Sequence, residues 1–506
     1  MNIIVVMSDT FRFDNLSCYG PARCKTPQLD RFAQEASIFE NAYLGSFPTI
    51  LNRMDIWSGR FSFIDREWSP LPADIVTPQQ ILSASGVVTQ LIVDNPHMLE
   101  NGYNYSRGFD AWEWVRGQET DQWKTAPKHV NPPKDRSKYN TREFIVHRHL
   151  RNTAWWKSEE DRFAPRSINT ACRWLEENQD QDQFFLWIDL FDPHEPWDAP
   201  KKYVDMYDPG WEGEAATYPN YGFWRENFTE AELNHFRAMY MGEASMVDHW
   251  FGRLLDKVDE LGLTEDTAII FLSDHGYLFG EHELTGKSLF PNIEGKMYYE
   301  AFPMYDELRR TPLMVRLPDQ KEGQRVKALV QAPDMMPTIL EMAGMVATEN
   351  IGGQAAIQAL QCGVFYTEDW EFIPENVHGK SLMPLLRGET DRLRDIAVSS
   401  NTLIHHTPIL AKSAIVTEDG WCLHYAGRYD KVSTDGKMFV GKLIDPGGAR
   451  FSSAPELYYL PDDPQEQNNV IDGNEGLARE IHERHVGWLE ELGMPEEHLA
   501  GRRKLR

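Results

Sequence analysis

Cysteine is scarce in this 506-residue chain: Cys18, Cys24, Cys172, Cys362 and Cys422 make five, none in a C-x-x-C pair. Their odd number and wide spacing argue against a disulfide framework or a zinc knuckle and read as reduced thiols. Basic residues are also few, 51 Lys and Arg against 78 Asp and Glu, for a formal charge of -27. No basic stretch is dense enough to track a phosphate backbone, so we expect no nucleic acid and no membrane among the partners. An anionic substrate would have to be drawn in by local cations or a metal, against the global field. Long hydrophobic runs are missing as well. Nothing approaches the ~20 apolar residues that span a bilayer, and the segment from Met1 to Asp9 lacks the basic start and the length of a secretory leader. These absences lead us to expect a cytoplasmic protein. Internal repeats and low-complexity segments are also lacking.

What is present is an alternation of short apolar runs with helical patterns, the signature of a layered α/β domain with a largely parallel sheet. Strands are expected over Asn2 to Met7, Gly86 to Val93, Gln183 to Ile188, Thr267 to Leu272 and Pro312 to Leu317. Thr26-Pro27 and Thr77-Pro78 each place a capping hydroxyl before a proline suited to a first helical turn. Further helices are expected from about Pro165 to Asn178 and from about Thr229 to Leu261. Residues 115–165 and 200–228 are polar, Trp-rich and Pro-punctuated, and read as lids, with a further insertion at 290–306. After about residue 390 the runs shorten (Lys412 to Val416, Trp421 to Tyr425) and point to a small antiparallel sheet with a terminal helix, Gly476 to Leu492. The organisation expected is therefore a large domain over 1–390 and an α+β subdomain over 391–506.

Two strand ends carry the chemistry. Asp9 follows the first strand, and Ser273-Asp274-His275-Gly276 follows the strand Thr267 to Leu272. The carboxyl ends of parallel strands share one edge, so these residues can converge. Two carboxylates, an imidazole and a hydroxyl at Thr49 make a four-ligand set for a divalent metal. An Asp after an apolar run can also be only a helix cap, so the reading leans on the flanking motifs.

Those flanks resemble the sulfatase family of the alkaline phosphatase superfamily. Asp9-Thr-Phe-Arg-Phe-Asp-Asn-Leu-Ser-Cys-Tyr-Gly20 resembles the opening D-D-x-R-x-D-x-L-G-C-Y-G, and the stretch Thr26 to Ala33 resembles T-P-N-L-D-R-L-A. Ser273 to Lys287 resembles S-D-H-G-x-x-x-G-E-H-G-L-x-x-K, and His378 to Leu386 and Glu456 to Pro464 match two later marks. The resemblance implies an alkaline-phosphatase-like α/β sandwich. It also implies Asp9, Asp274, His275 and Thr49 as metal ligands, Thr49 as nucleophile with Arg53 beside it, and His194, Lys287 and His97 as groups that meet the substrate. His97 lacks the lysine of the family's K-x-H pair.

The chain departs from the family at the nucleophile turn. Counting back from Arg53 and from Ser58-Gly59-Arg60 puts Thr49 where the family keeps a cysteine that is oxidised to formylglycine. Threonine cannot be so modified, and no formylglycine is expected. A second register, with Ser46 in the cysteine's place, leaves Ile50 where arginine is needed. Thr10 replaces the second aspartate of the opening pair. His275, in place of an asparagine, tilts the shell toward manganese or zinc, with calcium and magnesium also admitted. Asp192 could join His194 or His282 around a second metal.

An adduct on formylglycine can be expelled by its second hydroxyl, whereas an adduct on threonine must be cleared by water. The exchange therefore favours a small anionic phosphate- or phosphonate-type ester as substrate. A sulfate ester hydrolase and a metal-binding pseudoenzyme are the alternatives, and the family includes homo-oligomers. Trp112, Trp114, Trp123, Trp197, Trp211 and Trp224 either line a leaving-group pocket or pack the lids onto the body.

Overall fold

The computed structural model describes residues 1–506 apart from 22, 139–142, 290–291, 294–295, 319, 346–376, 403–410, 428–436, 439–440, 444–449 and 506. Eight strands form the central sheet: β1 (Asn2–Ser8), β2 (Ser37–Tyr43), β3 (Val88–Val93), β4 (Ala111–Trp114), β5 (Phe184–Leu190), β6 (Thr267–Leu272), β7 (Leu313–Arg316) and β8 (Gln324–Gln331). Their spatial order is β8-β2-β7-β6-β1-β5-β3-β4. β7 runs antiparallel to its neighbours β2 and β6, and the other pairings are parallel.

All seven residues of β1 are buried, as a strand covered on both faces requires. Ile3, Val5 and Met7 pack on one face with Trp57, Trp187 and Ile270, while Ile4 and Val6 pack on the other with Phe251 and Leu254. The helices that supply these layers are α1 (Thr49–Ser58), α2 (Phe163–Asn178) and α3 (Glu230–Glu260). α3 opens on a capping box in which the Thr229 hydroxyl accepts from Glu232 N and the Glu232 carboxylate accepts from Thr229 N.

The smaller sheet contains β9 (Ile396–Asn401), β10 (Ser413–Thr417), β11 (Trp421–Tyr425) and β12 (Glu456–Tyr459) in the order β12-β11-β10-β9, all antiparallel. Its last member is the two-residue strand Ser46–Phe47, parallel to β9. The turn that leads into Thr49 is thus hydrogen-bonded into the C-terminal sheet. The terminal helix α4 (Glu475–Glu491) closes that sheet through Ile481 and Leu489 against Ile415 and Leu423.

The lids hold more regular structure than their composition suggests. The first contains a helix, Glu143–Thr153, and the start of α2; the second contains a short helix, Lys201–Val204. Their tryptophans pack or pair with cations. Trp197 and Trp224 are buried, Trp211 stacks on His235 at 4.4 Å, Arg116 lies over Trp114 and Lys124 over Trp123. Trp112 is exposed on β4, at the sheet edge.

Candidate active site

The register of three neighbouring strands levels the site: Met7 of β1 lies opposite both Asp189 of β5 and Leu272 of β6. Asp9 and Asp274 therefore leave the sheet side by side, with His275 next in the chain. One ligand atom from each of Asp9, Asp274 and His275 lies within 4.8 Å of the others, and all three residues are buried. His275 Nδ1 donates to the Gly276 carbonyl at 2.9 Å, which leaves the Nε2 lone pair turned to the carboxylates, 3.8 Å from Asp9 and 3.7 Å from Asp274. A Cβ at position 276 would lie 1.9 Å from the Glu307 carbonyl oxygen, so this close return of the chain requires glycine. Thr10 does not replace the missing aspartate as a ligand. Its amide donates to Asp274 at 3.0 Å and its hydroxyl to Asp9 at 2.8 Å, fixing both carboxylates.

Thr49 opens α1 with its hydroxyl 3.1 Å from His275 Nε2. Its φ of 23° is unusual for a β-branched residue and stores on the order of 1–3 kcal/mol. Ser46 is engaged elsewhere: its hydroxyl donates to Asp55 at 2.8 Å and accepts from Phe63 N at 2.8 Å. Of the two registers open in the sequence, the one with Thr49 places a hydroxyl beside the cluster. Arg53, one helical turn on, meets Thr49 through the backbone carbonyl at 3.2 Å. Its guanidinium is otherwise held by three carboxylates: Asp189 and Asp274 at 2.7 Å and Asp9 at 3.2 Å. Asp189 escaped the sequence reading. Its signal is its place at the end of the apolar run Phe184 to Ile188, level with Met7 and so two residues short of Asp9.

A second group of side chains borders the first. Lys287 Nζ donates to His194 Nε2 at 2.5 Å, and His194 Nδ1 donates to the Glu195 carbonyl. Phe191 stacks on His194 at 4.0 Å and carries His97 on its edge at 5.7 Å. His97 does not contact the carboxylate cluster. It faces Glu119 of the first lid at 3.0 Å, while Asn95, whose side chain accepts from His97 N, donates to Asp9 at 3.4 Å.

Burial sets the protonation states. It pushes Asp9 well above the usual carboxylate range, with Asp274 adding to the rise and Arg53 and Lys287 opposing it. It would raise Asp274 too, but the Arg53 guanidinium at 2.7 Å and the Thr10 amide hold that group below its ordinary value. Burial takes His275 down to about 3, and burial with the charge of Lys287 takes His194 well below its usual value. Three carboxylates here face two cations, Arg53 and Lys287. The donor set fits a divalent ion on this ground: such an ion lets all three carboxylates ionise and leaves the site positive for an anionic ester.

The expected second metal around Asp192 is not assembled. Asp192 accepts from Gln118 Nε2 at 2.9 Å and from Ala164 N at 3.1 Å. His282 stacks on Tyr305 and lies 3.5 Å from Glu307. Among the described residues the other group with metal-ligand spacing is Cys422, His424 and Glu466, buried in the smaller sheet. There Arg309 already takes the cation's place, 2.9 Å from Glu466.

A mostly parallel sheet with such groups at its carboxyl edge and a second sheet beside it is the alkaline-phosphatase-like architecture of an ester hydrolase. Residues 1–345 match the family model described as Sulfatase, and the chain belongs to the sulfatase family. Arylsulfatase K of Xenopus laevis is 24% identical over 509 residues, covering 93% of this chain and 78% of that protein. An ulvan-active sulfatase of Formosa agariphila is 26% identical over 368 residues, 70% of this chain and 63% of its own. Among solved structures, the phosphonate monoester hydrolase of Agrobacterium radiobacter superposes with a TM-score of 0.66 at 20% identity, covering 97% of this chain and 95% of that one.

Proposed function

We propose that this protein is a metal-dependent hydrolase of phosphate- or phosphonate-type esters that uses Thr49 as its nucleophile. The observation that carries the reading is the Thr49 hydroxyl at the start of α1, 3.1 Å from His275 Nε2 and beside the cluster of Asp9, Asp274 and His275. Asp9, Asp274 and His275, with Thr49, would hold a divalent ion, manganese or zinc by the histidine in the set. When bound, that ion supplies charge that lowers the cost of ionising a hydroxyl and of binding an anionic ester.

The chain's own residues do the rest. Arg53 and Thr10 fix the carboxylates, and the helix N-terminus of α1 favours negative charge on Thr49. Lys287 and His194, joined at 2.5 Å, offer an ammonium and an imidazole to the transferring group. Attack by Thr49 would expel the alcohol and leave an ester on the threonine. Threonine has no second hydroxyl to eject that group, so water must attack the central atom, a step ordinary at phosphorus and demanding at a sulfate monoester.

The names of the curated relatives favour a second reading, sulfate ester hydrolysis. Rates with matched aryl phosphodiester, phosphonate and sulfate esters, in manganese or zinc, separate the two. We expect the phosphorus esters to be turned over at least tenfold faster. A clear preference for the sulfate ester would reverse the assignment.

A further inference from the structure

One guanidinium joins the carboxylates of the site. The side chains of Arg53 and Asp189 are both fully buried. Asp189 takes the edge of the guanidinium formed by Nε and Nη2: its Oδ1 accepts from Nη2 at 2.7 Å and its Oδ2 from Nε at 3.0 Å, a two-bond fork. Trp187 Nε1 donates to the same Oδ2 at 3.1 Å and fixes the carboxylate in turn. That grip points the remaining nitrogen, Nη1, at the Thr49 carbonyl, 3.2 Å away, and at Asp274, 2.7 Å away. Asp9 lies 3.2 Å from Nη2.

Asp189 stands outside the ligand group of Asp9, Asp274 and His275. It lies on β5 opposite Met7, two residues before Asp9. The charges then divide cleanly. Asp189 matches Arg53 one for one, and Asp9 and Asp274 carry two negative charges for a divalent ion. With Asp189 removed, Asp9 and Asp274 would be the carboxylates left to Arg53 among the described residues, and a fixed, buried cation would compete with the ion for both. The substitution at Thr10 sets the context. It takes one carboxylate from the turn after β1, and Asp189 brings one in from β5.

We propose that Asp189 is a positioning residue for the metal centre: it takes up the charge of Arg53, so that Asp9 and Asp274 keep theirs for the divalent ion. This rests on the metal reading above and is independent of which ester is cleaved. Asparagine at 189 keeps the size and one acceptor oxygen but loses the charge, and its amide N–H groups meet those of Arg53 donor to donor. Arg53 then leans on Asp9 and Asp274. Partners placed behind metal ligands in this way commonly set affinity by about 10–100-fold.

Calorimetric titration of the full chain, freed of metal with a chelator, with manganese tests this. In Asp189→Asn we expect manganese to bind about 30-fold more weakly at unchanged stoichiometry. Asp189→Ser, which admits a water beside Arg53, should shift affinity the same way and serves if Asp189→Asn does not fold. Adding Arg53→Met to either variant removes the competing charge and should bring affinity back to within about threefold of wild type, a reversal that damage to the fold would not produce. Affinity within about twofold of wild type in the folded single variant, or no recovery in the double variant, would overturn the proposal and leave the metal reading standing. A wild type that takes up neither manganese nor zinc would remove both.

Discussion

Two buried groups among the described residues have the donors and spacing of a metal site, and one of them reads as a site for chemistry. Asp9, Asp274 and His275 stand at the carboxyl ends of parallel strands, beside a strained Thr49 and within reach of Lys287. Cys422, His424 and Glu466 stand within and beside the antiparallel sheet. At the first, Asp189 joins Asp9 and Asp274, and three carboxylates outnumber Arg53 and Lys287. At the second, Glu466 and Asp306 are matched by Arg309 and Arg310. Close donors are therefore insufficient. Surplus negative charge and an adjacent hydroxyl distinguish a centre that needs a cation from one that already has it.

The largest effect that would sharpen the contrast is at Thr49. Thr49→Ala should lower kcat on the order of 10⁴-fold with little change in melting temperature, since the hydroxyl is the bond-forming group. Next comes the inert cluster: Glu466→Ala strands Arg309 in the interior and should cost about 3–5 kcal/mol in unfolding free energy. Metal content should stay unchanged in that variant and fall in Asp274→Asn. A loss of bound metal in Glu466→Ala instead would break the comparison.

Lys287→Ala is expected to reduce kcat/KM by about 100-fold or more, the usual loss on removing one charge-stabilising donor. The smallest effect concerns Asp55, which supports the turn before Thr49 by accepting from Ser46 N, Ser46 Oγ and Ser62 N. Burial raises it to about 7 against these hydrogen bonds. Because the folded chain holds this proton more tightly than the unfolded one, its contribution is full below about pH 4 and declines as pH rises through about 7. Denaturant titrations of Asp55→Asn should show a flatter dependence over that window.

The strands of the sheet centre were legible because they are continuous apolar runs: Thr267–Leu272 has the expected bounds and Asn2–Ser8 is one residue longer. β2, β4 and β8 were not. They lie toward the edges, and the mixed exposure of β8 and the exposed β4 give no such run. The reversed direction of β7 leaves no mark in its own residues. At the site, Asp9, Asp274, His275 and Thr49 could be placed from spacing against known motifs. Asp189 could not, because it acquires its partner through strand register, across 136 residues from Arg53. The tie between Ser46–Phe47 and β9 is hidden for the same reason.

The most direct measurement is steady-state hydrolysis of an aryl phosphonate ester by the manganese-loaded wild type, Ser46→Ala and Thr49→Ala, each verified as folded. The account predicts Thr49-dependent turnover, with Ser46→Ala retaining most activity and Thr49→Ala almost none. Full activity in Thr49→Ala, with loss in Ser46→Ala, would contradict it.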